Sequence, residues 1–192
     1  MSALDDAPEV HADDPATWRA WLEANHLVSR GAWLLMRRQR AGGERLGYEA
    51  AVEEALCFGW VDSTRRPVDD EHNKLYFAPR KPKSAWAATN KARVERLVKD
   101  GRMAPAGLAA IELARANGSW ETLDSTERLE IPADLAAALD ARPPAAANFK
   151  GFPPSARKIM LGWVAMARRS ETRASRITEI ADAAERNERA RR

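Results

Sequence analysis

One cysteine, Cys57, is all the chain carries in 192 residues, which excludes an internal disulfide framework and a cysteine-rich zinc site. The three histidines, His11, His26 and His72, stand apart from one another and from acid pairs. No metal site and no other cofactor is therefore expected. Long apolar runs are missing too: none approaches the 18 residues of a membrane-spanning helix. The stretch from Met1 to Asp14 has five acids and no Lys or Arg. A secretory leader needs a basic start and then an apolar stretch, so the cytoplasm is the expected location. Gly42-Gly43 lacks the strand–GxGxxG–helix setting of a phosphate-binding loop.

What is present suits a globular protein: 45% apolar and 31% charged residues, with seven tryptophans that can each bury a large area. The length fits one ordinary domain, or a domain with a helical appendage. Net charge is only +3, but it is unevenly spread. Lys+Arg against Asp+Glu runs 2 to 6 over residues 1–30, 16 to 11 over 31–118, 2 to 6 over 119–149 and 11 to 5 over 150–192. Alternating blocks of this kind can attract an anionic partner or pair with each other.

Asp14-Pro15 is a helix start, with Trp18, Trp21 and Leu22 on one apolar face. Ala32 to Met36 reads as a buried strand. Tyr48 to Phe58 reads as a helix with Val52, Ala55 and Leu56 inward and Glu49, Glu53 and Glu54 outward, capped by Gly59. Trp60–Arg66 and Lys74–Ala78 read as two further strands around a turn of Asp69 to Asn73. Ser84 is positioned to cap a helix from Ala85 to Asp100, and another runs from Pro105 to Ala116. A polar connector, Ser119 to Glu130, holds Trp120 as its one large anchor. Beyond Ile131 helices are predicted from Pro132, from Pro153-Pro154-Ser155 and, capped by Ser170, through Ile177 and Ile180. The expected fold is α+β: a small antiparallel sheet of about three strands flanked by helices (residues 12–118), then a C-terminal unit of three or four helices (131–186).

The strongest site candidate is the basic turn Arg80-Lys81-Pro82-Lys83 ahead of Ser84. Free amides at a helix N-terminus beside cationic side chains suit an anion. Arg65 and Arg66 join them if the last two strands form a hairpin. Trp60 and Asp62 point to one face of their strand, where Asp62 can line a pocket or pair with Arg80. Trp86 and Asn90 share a face of the following helix, and a buried Asn90 must find partners, ligand or loop carbonyl. Each of these residues also has a purely structural use, as a solvated loop or an internal pair. Cys57, His72 and Asp62 have the residue types of a nucleophilic triad without its spacing. The basic stretch Arg168 to Arg176 is interrupted by Glu171 and has no interleaved aromatics. The arginines of Thr172 to Arg176 are expected to pair with the acidic connector, Glu121 to Glu130, rather than with nucleic acid.

Three stretches carry a resemblance to a known family. They are Glu54-Ala-Leu-Cys-Phe-Gly-Trp-Val-Asp62; Phe77-Ala-Pro-Arg-Lys-Pro-Lys-Ser-Ala-Trp86 with Asn90, Gly101-Arg102-Met103 and Pro105-Ala-Gly107; and Trp163 with Ala167-Arg168 and Glu171 to Ile177. Together they resemble the YdeI/OmpD-associated, bacteriocin-protection family over roughly residues 15–185. Where that family commonly has Gly-Trp-Ile-Asp-Gly this chain has Gly59-Trp-Val-Asp-Ser63, and it has Ala87 where a second serine is common. The resemblance implies tolerance to antimicrobial peptides or envelope stress and names no reaction. The expected function is protection by binding an anionic small molecule or peptide in a basic, Trp-lined cleft of Trp60, Asp62, Arg65, Arg80, Lys81, Ser84, Trp86 and Asn90. The alternatives are an enzyme acting on a small anionic substrate in that cleft, for which Asp62 is the one titratable candidate, and a weak nucleic-acid binder.

Overall fold

A computed structural model describes residues 4, 6–37 and 46–191. They divide into two compact units, one of residues up to 84 together with 89–119, the other of 85–88 together with 120 onward. Gly42-Gly43 lies outside the described residues.

In the first unit Asp14 takes extended backbone and its carboxylate accepts from the Thr17 amide at 2.9 Å, so α1 (Pro15–Asn25) starts at the predicted cap. Trp18 and Leu22 are buried, and Trp21 stacks on Trp18 with ring centres 5.3 Å apart. Strands β1 (Glu9–His11), β2 (Ala32–Arg37), β3 (Trp60–Pro67) and β4 (His72–Pro79) form one sheet in the order β1-β2-β4-β3. The expected sheet was three-stranded and antiparallel; the observed one has a fourth strand, β1, parallel to β2. Only Val10 of β1 is buried, too little alternation to show in a sequence.

Helix α2 (Tyr48–Cys57) packs against both α1 and α4 (Pro105–Ala116). Glu54, expected outward, is buried instead. It accepts from Arg19 Nη1 at 2.8 Å and from Arg102 Nη2 at 2.6 Å, and these two cations from distant positions make its burial tolerable. Gly59, at φ +72°, turns the chain from α2 into β3. Gly107 lets α4 approach closely, because a Cβ there would fall 2.2 Å from the Cys57 carbonyl oxygen. Helix α3 (Ala88–Lys99) begins three residues later than expected. Ser84 does not cap it: its hydroxyl donates to the Lys81 carbonyl at 2.9 Å, closing a turn before the helix.

The second unit holds α5 (Asp124–Glu127), α6 (Ala133–Asp140), α7 (Ala145–Gly151), α8 (Pro154–Ala165) and α9 (Ser170–Glu185). Its core is built on Leu135, Leu139, Phe149, Met160, Val164 and Ile180. The stretch read as an exposed polar connector folds instead: Thr126 of α5 is buried against Gly162, and Glu127 pairs with Lys158 at 2.7 Å. Arg169, not Ser170, occupies the cap position of α9. No helix among the described residues is long and apolar enough to cross a membrane.

Candidate functional site

The β3–β4 hairpin carries an irregularity that decides which side chains meet. Asp62 pairs with Phe77 and Arg65 with Leu75, so three steps along β3 match two along β4. Strict alternation would send Asp62 and Arg65 to opposite faces; this bulge returns both to the face of the buried Phe77 and Leu75. Tyr48, at the first turn of α2, meets both. Its hydroxyl donates to Asp62 Oδ2 at 3.0 Å, and the Arg65 guanidinium lies over its ring at 5.4 Å. Burial raises the Tyr48 pKa, and the hydrogen bond to the Asp62 carboxylate raises it further.

Helix α3 adds Arg93, whose Nε and Nη2 hold both oxygens of Glu49 at 2.8 and 2.5 Å. Arg93 Nη1 also donates to Asn90 Oδ1 at 2.7 Å. Asn90 thus serves as an acceptor within the unit. The hydrogen bond from Arg93 holds the Glu49 carboxyl below the usual carboxylate range.

Arg80 follows β4, its amide donating to the Gly59 carbonyl at 2.9 Å. Burial drags its pKa down to about 10, and the charge of Asp62 offsets this only in part. Lys81 is exposed beside it. Asp62, Arg65, Arg80, Lys81, Ser84 and Asn90 therefore lie in one unit, with Asp62 and Arg65 meeting at Tyr48, Asn90 held by Arg93, and Arg80 within the field of Asp62. Tyr48, Glu49 and Arg93 were not among the expected residues; they come from other helices, far along the chain, and no local pattern marks them.

The tryptophans behave otherwise. Trp60 is enclosed in the core, its ring edge-on to Trp21 at 5.9 Å and its N–H donating to the His26 carbonyl at 3.4 Å. Trp86 belongs to the second unit, where it packs on Trp120 at 5.0 Å. An open Trp-lined wall is thus not what these two rings form. Cys57 is buried at the end of α2, and burial pushes its thiol pKa up. His72 is held by Asp69 at 2.9 Å in the hairpin turn, so no triad assembles with Asp62. No cluster of His, Cys, Asp or Glu among the described residues could hold a metal ion.

In the second unit the expected pairing of the α9 arginines with the acidic connector does not occur. Arg173 grips Asp134 of α6 at 2.6 and 2.9 Å, while Arg176 donates to the Trp163 carbonyl at 2.5 Å and stacks on that ring at 5.1 Å. Asp134 lies in the first turn of α6, just past the connector, and presents both oxygens to the fork.

No curated protein and no solved structure matches the chain. Two family models do. One, a domain of unknown function (DUF8412), matches residues 10–110, more than half of the sequence. The other, described as bacteriocin-protection, YdeI or OmpD-associated, matches residues 128–187 and supports a bacteriocin-protection role at the level of the family. The chain belongs to the DUF8412 family through residues 10–110 and carries the bacteriocin-protection, YdeI or OmpD-associated family region at residues 128–187.

Proposed function

We propose that this chain is a protection protein that binds an anionic small molecule or peptide on the basic face of its first unit, with Arg80 as the principal charge, Lys81 next to it in the chain and Arg65 on the adjoining strand. The observation that carries this reading is the state of Arg80. Its side chain is half-buried with the Nε enclosed, and this burial lowers its pKa to about 10 despite the charge of Asp62. A cation held at such a cost gains more from an incoming anion than an exposed lysine does. Asp62 leans on the Tyr48 hydroxyl, so an anion need not leave it without a hydrogen bond. No catalytic role is assigned to Asp62, whose engagement with Tyr48 is that of an orienting group.

Inorganic phosphate and an acidic peptide, titrated by calorimetry into the wild-type protein and Arg80→Met, test the reading. A charge-assisted hydrogen bond of about 1.5–3 kcal/mol corresponds to a loss of roughly 10- to 150-fold in affinity. Binding that is absent in the wild type, or equal in the variant, rejects Arg80 as the site. Survival of bacteria expressing either protein under bacteriocin challenge then connects binding to protection.

A further inference from the structure

A second concavity on the first unit is lined by none of the basic residues just described. Helices α1 and α4 both pack on α2, and over the end of α2 they leave an open groove of about 770 Å³. That volume is in the range of small-molecule sites, roughly 300–1,000 Å³. Positions 19, 23 and 26, at helical spacing, put Arg19, Glu23 and His26 along one side. Pro105, Ala106 and Ala109 of α4 make the other, with Phe58 and Met103 also lining the space. Leu27, 82% exposed, stands at its edge, next to the equally exposed Val28.

The polar groups of this groove are not equivalent. Arg19 is committed: its Nε donates to Glu23 at 3.2 Å, Nη1 to Glu54 at 2.8 Å and Nη2 to the Arg102 carbonyl at 3.1 Å. Its guanidinium also lies over the Phe58 ring at 5.2 Å. An anion would find little donor capacity there. Glu23 uses only Oε1, and among the described residues Oε2 has no hydrogen-bond partner. His26 Nδ1 lies 2.8 Å from the Leu22 carbonyl oxygen, which can only accept, so Nδ1 carries the proton. In the neutral ring Nε2 is then a free acceptor. The spare polar capacity is therefore acceptor-only, on an apolar and aromatic floor.

We propose that this groove binds a small hydrophobic amine, its apolar body against Phe58, Pro105 and Ala109 and its ammonium or N–H groups on Glu23 and His26. The site is independent of the anion site and takes ligands of the opposite charge.

The test uses three probes of one shape: 2-phenylethylamine, 2-phenylethanol and phenylacetate. Each is titrated into the isotope-labelled full chain while the backbone amides of His26, Leu27, Phe58 and Ala106 are followed by NMR. The amine is expected to shift these amides in a saturable way, with phenylacetate at least about tenfold weaker, as a charge in contact requires. Ala109→Phe, at an exposed position, fills the groove and is expected to weaken the amine at least about tenfold. Glu23→Gln is expected to weaken the amine and leave 2-phenylethanol unchanged, which keeps the proposal testable should Ala109→Phe disturb α4. No saturable shift at about 10 mM amine overturns the proposal, as does phenylacetate binding as tightly as the amine. Indifference of amine binding to both substitutions overturns it too.

Discussion

Arg80 illustrates how one residue can weaken a fold and equip it at the same time. Burial lowers its pKa from the ordinary arginine value to about 10, so the folded chain bears the cost of the charge at every pH below about 10. From about pH 10 up to the ordinary arginine value the unfolded chain still holds the proton that the folded chain has released. Stability from this group therefore rises with pH across that window. Arg80→Met removes the charge while keeping much of the stem, and it is expected to stabilise the protein by about 1–2 kcal/mol at pH 7 in urea unfolding. The gain should shrink as pH rises past 10. Asp62 keeps Tyr48 in the variant, so a fall of several kcal/mol would mean that Asp62 depends on Arg80 after all. Glu54 is the opposite case. Buried and held by two arginines, it leaves both half-paired when changed, and Glu54→Gln is expected to cost about 3–5 kcal/mol by the same measurement.

At the scale of elements, the hairpin bulge is the feature on which the site depends. Deleting Thr64 would remove the extra residue and set Asp62 and Arg65 two apart, still on one face, whereas Arg65→Ala takes the cation from the Tyr48 ring. Arg65→Ala is expected to lose part of the phosphate affinity even though Arg80 is untouched. Unchanged affinity would show that Arg65 plays no part. This is also where the sequence was least legible. Helices α1, α2 and α4 and the cores of three strands follow from caps and periodicity, and α4 has the predicted bounds. A bulge has no residue signature in Val61-Asp62-Ser63-Thr64, and two-residue alternation hides it. The start of α3 was misread because a serine before a helix-forming run looks like a cap, while here its hydroxyl closes a turn on Lys81. Tyr48 and Arg93 became visible only in three dimensions: their partners are 14 and 44 residues away.

At the scale of the whole molecule, the second unit has a core of its own, running from Leu135 to Ala184 with no residue borrowed from the first. A chain of residues 119–192 is therefore expected to fold alone, with a helical circular-dichroism spectrum and a cooperative melt. A featureless, gradual loss of ellipticity on heating would show that it needs the rest. Such a fragment lacks residues 85–88, so Trp120 has no Trp86 to pack on and its fluorescence should move to longer wavelength.

That tryptophan pair has a consequence for descent. A recombination joining two relatives near Ser119 would take Trp86 from one parent and Trp120 from the other, although both rings serve the same unit. The two regions of this gene are thus not freely exchangeable, and among its relatives the residues at 86 and 120 are expected to change together or not at all.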